Sequence, residues 1–228
     1  MALLLSLPVI ALAVIVVAFF VIERLFPAAI TRFEENLLAI LLATITVVSF
    51  SQVIARYGFN SGWSGALEFT RILFAWLILF GMSYGVKIGS HLGVDAFIRL
   101  LPARGFRSAA LFGAACGIAY AVILLYSDWL QGLGANARGG ALDYWSKMFK
   151  IGIGLDDLRY PVWIQHAFGM QERVQRWIAY LILPIGLGLF GFRCVQAFIA
   201  IWRGERELII AGHEAEDLVA ENKNALKD

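Results

Sequence analysis

The chain has 228 residues, of which 60% are hydrophobic and 16% charged, and its mean hydropathy is +0.74. A soluble domain carries roughly 45–50% apolar and about 25% charged residues, so a soluble fold and a nucleic-acid binder are both excluded. The formal net charge of +2 is too small to point to a partner.

The apolar excess lies in five blocks, Leu3–Ile22, Leu37–Ile54, Leu67–Val86, Ala109–Ser127 and Ile178–Ile201. Each approaches or exceeds the ~20 residues that a helix needs to cross a bilayer. The expected fold is an all-α integral membrane protein, with a four-helix transmembrane core and an extra N-terminal transmembrane helix. The first block has no basic leader and is too long for the apolar region of a signal peptide. It reads as a retained anchor, with an interfacial helix or a segment removed during maturation as alternatives. The organisation is then an extra helix and link at 1–32, a four-span core at 33–202 with a long loop at 131–176, and a tail at 203–228.

Basic residues orient the core. Arg24 and Arg32 follow block one; Lys87, Arg99, Arg104 and Arg107 follow block three; Arg203, Arg206, Lys223 and Lys227 lie in the tail. The turn at 57–66 is preceded by Arg56 alone. The positive-inside rule places the tail and the 87–108 link in the cytoplasm, because long loops such as 131–176 translocate with little regard to charge. Five spans require an outside N-terminus; a four-span core leaves both ends inside.

Within the loop, the Gly-rich 132–140 stretch is expected to be irregular. At 143–150, Tyr144 with Met148 and Trp145 with Phe149 stand at i,i+4, with Lys147 and Lys150 between them. That pattern predicts a short amphipathic helix lying on the outer membrane surface. Trp63, Trp129, Trp177 and Trp202 sit at block edges, where an interfacial belt is expected; Trp76 lies within block three. The tail is expected to be a short solvated helix that frays.

Chemistry-bearing residues are sparse. His91, His166 and His213 lie outside the blocks or at their edges, so haem ligation within a span is not expected. The two cysteines, Cys116 and Cys194, fall in apolar blocks and read as core residues. No cofactor, metal or catalytic residue is expected. Intramembrane ionisable residues are functional candidates because they are costly. Glu68 and Arg71 stand at i,i+3, close enough to pair on one helix face, with Asp128 able to join them; the alternative has them facing a partner protein. Arg193 lies deep in block five, facing lipid, another helix or a solute. Gly81, Gly85 and Gly89, and then Gly113 and Gly117, repeat at four-residue intervals that favour close helix packing. Pro184, followed by Gly186, Gly188 and Gly191, predicts a kinked or loosened last span. So little intramembrane polarity describes a scaffold or accessory subunit.

Arg56, Tyr57, Gly58, Phe59 and Asn60 are followed by Leu67–Arg71, then Trp76, Gly81, Gly85 and Lys87, and then His91, Leu92, Gly93, Val94 and Asp95. This run resembles the small membrane subunit of tripartite ATP-independent periplasmic (TRAP) transporters, the DctQ-type family, and the 181–188 stretch resembles its last span. The resemblance implies a non-enzymatic subunit with four spans, outside whose pattern Leu3–Ile22 stands. It implies a large elevator-type membrane subunit, which carries the solute and sodium sites, and a periplasmic solute-binding protein as partners. It also implies uptake of organic acids, C4-dicarboxylates among them, at the bacterial inner membrane. On this basis Arg56, Glu68, Arg71, Trp76, Lys87, His91, Asp95 and Arg193 are expected at partner or lipid interfaces. Tyr144, Trp145, Lys147 and Lys150 are expected to face the periplasmic partner. The alternative is a non-haem membrane anchor of a quinone-linked redox complex.

Overall fold

The structure, a computed structural model, describes residues 7–88 and 103–204. Gly89, His91, Asp95 and the tail from residue 205 lie outside the described residues. In chain order the elements are α1 (Leu7–Leu25), α2 (Pro27–Gly58), α3 (Ala66–Ile88), α4 (Ala103–Leu125), a 3-10 helix (Asp128–Leu133), α5 (Ala141–Ile151), β1 (Gly154–Arg159), α6 (Val162–Phe168), β2 (Arg173–Gln175), α7 (Arg176–Ala179) and α8 (Ile182–Arg203). Among the described residues, four helical stretches are long and apolar enough to cross a membrane: Pro27–Gly58, Ala66–Ile88, Arg107–Leu125 and Arg176–Arg203. They coincide with blocks two to five. The chain is an all-α integral membrane protein that crosses the bilayer several times.

Pro27 opens α2, where its missing N–H costs nothing and its fixed φ suits the first helical turn. The helix runs for 32 residues, about 48 Å at helical rise. That exceeds the ~30 Å hydrocarbon layer. The boundary expected at residue 32 therefore falls inside a continuous helix, and the link after block one is largely helical.

The described residues divide into two compact units, 7–81 with 123–189, and 82–88 and 103–122 with 190–204. In the first, α3 meets α8 where a Cβ added at Gly186 would stand 2.6 Å from Leu79 Cβ. Only glycine permits that approach. A Cβ on Gly81 would meet Leu38 of α2 at an ordinary 3.9 Å.

In the second unit, α4 packs on α8 through small residues. A Cβ on Gly117 would lie 2.7 Å from Cys194 Sγ, and one on Gly191 would lie 2.8 Å from Ala121 Cβ. Ala110, Ala114 and Ala121 are buried along the same face as Gly117, whereas Gly113 is exposed. The packing stripe thus combines Gly117 with alanines at helical spacing. Lipid tails are as apolar as leucine, so close backbone approach, and not hydrophobic burial, drives such contacts. Val86, Phe190, Cys194 and Ala197 complete this core. Arg107 Nη2 donates to the Trp202 carbonyl at 2.5 Å, satisfying a backbone acceptor at the end of α8.

The 131–176 loop also contains a two-stranded antiparallel sheet that sequence patterning does not suggest. Gly154 pairs with Gln175 and Arg159 with Arg173, with an irregularity between them. Gly-Leu-Asp-Asp-Leu-Arg has no alternation of period two, because the two leucines are three residues apart.

Replacing Gly117 by Leu should destabilise the second unit by about 1–3 kcal/mol through overpacking. Gly113→Leu should stay within about 0.5 kcal/mol. Thermal unfolding of both variants in detergent measures the difference.

Candidate functional site

The 126–180 segment and the adjoining ends of α2 and α3 form one structured connector, and Glu68 fixes it. Glu68 stands in the first turn of α3. Its Oε1 accepts the Asp156 N–H at 3.3 Å, and its Oε2 accepts those of Asp157 and Leu158 at 2.8 and 2.7 Å. Three consecutive amides on one carboxylate are possible because β1 departs from regular pairing in this stretch. Successive N–H groups that converge make an anion-binding concavity. Around this contact Leu155, Leu158 and Ala179 are buried, packed by Phe69, Ile72, Val174 and Tyr180.

The pairing that the spacing allows between Glu68 and Arg71 is not formed: Glu68 is used by β1, and Arg71 is exposed. Asp128 does not join them either. It accepts the Gly139 N–H at 2.5 Å, while Ser127 donates both its N–H and its hydroxyl to the Gly139 carbonyl, at 2.6 and 2.8 Å. The Gly139 amide holds the Asp128 carboxyl below its ordinary value, with help from the Tyr126 hydroxyl. The same contact with Asp128 raises the Tyr126 phenol. Gly140 has φ +134°, and a Cβ there would lie 2.6 Å from the Leu125 carbonyl oxygen. The chain thus returns across the end of α4 in a conformation that needs glycine.

Two tryptophans serve the backbone. Pro184 has no N–H for the carbonyl four residues earlier, and the last span breaks between α7 and α8. The Leu181 N–H goes to Ile178 and that of Leu183 to Tyr180. Carbonyls of the broken turn are taken by indoles: Trp76 Nε1 donates to Ala179 and Trp145 Nε1 to Trp177, each at 3.1 Å. Trp145 is 4% exposed and packs on Phe149, which meets Trp177 edge-on. It is therefore core, and the expectation that it faces a periplasmic partner is corrected. An amphipathic helix buries its aromatic stripe in protein as readily as in lipid, and here α7 offers the partner. Lys147 and Lys150 remain exposed, with Lys147 Nζ 2.5 Å from Asp143; Tyr144 contacts Tyr180 edge-on.

A cavity of about 620 Å³ opens between α2 and α3 at the connector end. Gln52 lines it, accepting the Trp63 N–H and donating to the Trp63 carbonyl, both at 3.1 Å. Arg56, Asn60, Ser61 and Ser64 line the cavity near the turn; Val48, Ser49 and Thr70 line it deeper along the helices. Asn60 adopts φ +49°, a conformation that asparagine tolerates. No sequence pattern marks this cavity, because the turn folds back on Gln52 across eleven residues.

In the second unit Arg193 is 5% exposed, and its Nη1 donates to Gln196 Oε1 at 3.2 Å. Gly85 is buried and Lys87 half-buried near the end of α3. Among the described residues, no group of three or more His, Cys, Asp or Glu is placed to hold a metal ion.

Residues 45–204 match the family described as the DctQ component of tripartite ATP-independent periplasmic transporters. The matched stretch covers the last part of α2 and everything described beyond it. The chain belongs to the DctQ family. It is 35% identical over 192 residues to the C4-dicarboxylate TRAP transporter small permease protein DctQ of Vibrio cholerae, covering 81% of this chain and 77% of the relative. The proteins of the same name from Pseudomonas aeruginosa and Rhodobacter capsulatus are 27% and 28% identical. These alignments cover 82% and 72% of this chain, and 90% and 74% of the relatives. Family membership makes this a membrane component of a transporter and displaces the quinone-linked anchor. Helix α1 lies outside the matched residues.

Replacing Glu68 by Ala should weaken the connector by about 1.5–3 kcal/mol, the range for a charged hydrogen-bonding group. Faster hydrogen exchange at the 156–158 amides is the measurement. The Asp128 clamp has a depressed carboxyl, so its contribution is full above the ordinary aspartate value and is lost only as pH falls through the lower folded value. Gly139 amide protection, compared with Asp128→Asn at each pH, should therefore persist to about pH 4 and converge with the variant below it.

Proposed function

We propose that the chain is the scaffold subunit of a sodium-coupled TRAP transporter for organic acids, with C4-dicarboxylates as the substrate class. The single observation that carries this reading is the family match over 45–204, which spans both the membrane core and the connector locked to it by Glu68. The names of three relatives specify C4-dicarboxylates. The solute and sodium sites belong to a large membrane subunit, and this chain enlarges its fixed part. Ile40, Val47 and Phe50 of α2 are exposed apolar side chains suited to lipid or to that partner.

The core sits in the bacterial inner membrane with the connector on the periplasmic side and the C-terminus in the cytoplasm, as the basic links indicate. Helix α1 touches both α2 and α5. It turns into α2 at one end and reaches the connector at the other, which supports a further span. The solute-binding protein docks on the connector, where Lys147 and Lys150 offer positive charge beside Tyr144.

The complex reconstituted in liposomes should take up dicarboxylate only when the large subunit and the binding protein are both present. Uptake by this chain alone would refute the scaffold role. Lys147→Glu with Lys150→Glu should lower uptake about tenfold at limiting binding protein, through lost electrostatic steering, while stability falls by only about 0.5 kcal/mol from the lost Lys147–Asp143 pair. The binding-protein concentration required for half-maximal uptake is the quantity to measure.

A further inference from the structure

The α2–α3 cavity has a chemistry that the scaffold role leaves unused. From Asn36 to Leu67 the chain has no acidic residue, and Arg56 is its only charge. Arg56 is exposed, lines the cavity and makes no ion pair with any described residue. Asn60, Ser61 and Ser64 add uncharged hydrogen-bonding groups beside it. Gln52 does not compete for a ligand, because both ends of its amide are spent on Trp63. That lock also means the cavity is held open by hydrogen bonds within the chain.

Charge changes along the cavity: Arg56 stands near the turn, whereas the deeper wall carries Val48 with the hydroxyl-bearing Ser49 and Thr70 and no charge. Val48 lies eight residues before Arg56 on α2, about 12 Å deeper at helical rise. The cavity therefore runs from a cationic, hydroxyl-lined mouth at the membrane edge to a wall inside the apolar span. Its volume of about 620 Å³ falls within the ~300–1,000 Å³ of small-molecule sites. A guanidinium suits a phosphate because its N–H groups form a planar fork that engages two oxygens at once. A free anion would use the mouth and leave the deep wall empty. A phospholipid uses both.

We propose that this cavity is a phospholipid site, in which Arg56 binds the headgroup phosphate with Asn60, Ser61 and Ser64, and the glycerol and first acyl carbons lie along Val48. The site is independent of the transport assignment, and its test has no transport readout.

Native mass spectrometry of the full chain in detergent, titrated with phosphatidylglycerol, phosphatidylethanolamine and uncharged diacylglycerol, tests it. Both phospholipids should be retained and diacylglycerol should not. Arg56→Gln should lower phospholipid occupancy about tenfold, the scale of one charge-assisted contact, and Arg56→Lys should restore part of it. Ser61→Trp keeps the charge but fills the mouth, and should lower occupancy similarly. Thermal unfolding of each variant verifies folding, and any one folded variant suffices for the comparison. Unchanged phospholipid occupancy in folded Arg56→Gln or Ser61→Trp would overturn the proposal. Inorganic phosphate or succinate displacing the lipid from the wild type at millimolar concentration would reassign the cavity to a soluble anion. Displacement by the purified solute-binding protein would reassign it to a protein contact.

Discussion

Backbone polar groups at a membrane edge must find partners, because the hydrocarbon beside them offers none. This constraint organises the connector more than any apolar contact does. The last span is interrupted before Pro184 and a hairpin is set beside the start of α3, so amides and carbonyls appear that no helix satisfies. Glu68 collects three amides of β1; Trp76 and Trp145 each take a carbonyl of the broken turn. Ser127 and Asp128 do the same for the glycine-rich return at Gly139. The polar side chains of the connector and of the start of α3 are thus spent largely on the protein's own backbone.

Helix packing follows a complementary rule. Where lipid removes the hydrophobic incentive, contact depends on how near two backbones can come. The pairs Gly117 with Cys194, Gly191 with Ala121 and Gly186 with Leu79 are close enough that an added methyl group has no room. Small residues at helical intervals are visible in the chain, but several faces of α4 carry them. Gly113 faces outward while Ala110 and Ala114 are buried; which face is used depends on where α8 lies.

The spans were legible because ~20 apolar residues in a row have few alternatives to a transmembrane helix. The short helix at 143–150 was legible from its i,i+4 aromatics, and an irregular last span from Pro184 and the glycines after it, though not where the helix breaks. The family was legible in the order of Arg56, Glu68, Trp76, Gly81 and Lys87. The hairpin was not, since its strand has no alternating pattern and is held by a carboxylate some 88 residues away in sequence. Trp145 illustrates the same limit. Its spacing states that it needs an apolar surface, and both lipid and α7 supply one.

The residue pattern alone determined membrane residence, the number of long apolar helices in the core, the family and the scarcity of titratable groups. These depend on local composition, which bilayer thickness turns directly into structure. Only the tertiary structure decided what the few polar residues do: that Glu68 binds β1 and not Arg71, that Trp76 and Trp145 complete a broken helix, and that Arg56 lines a cavity beside α3. Each of these joins groups far apart in the chain. Their cost or benefit depends on which backbone groups are left unsatisfied once the helices have packed.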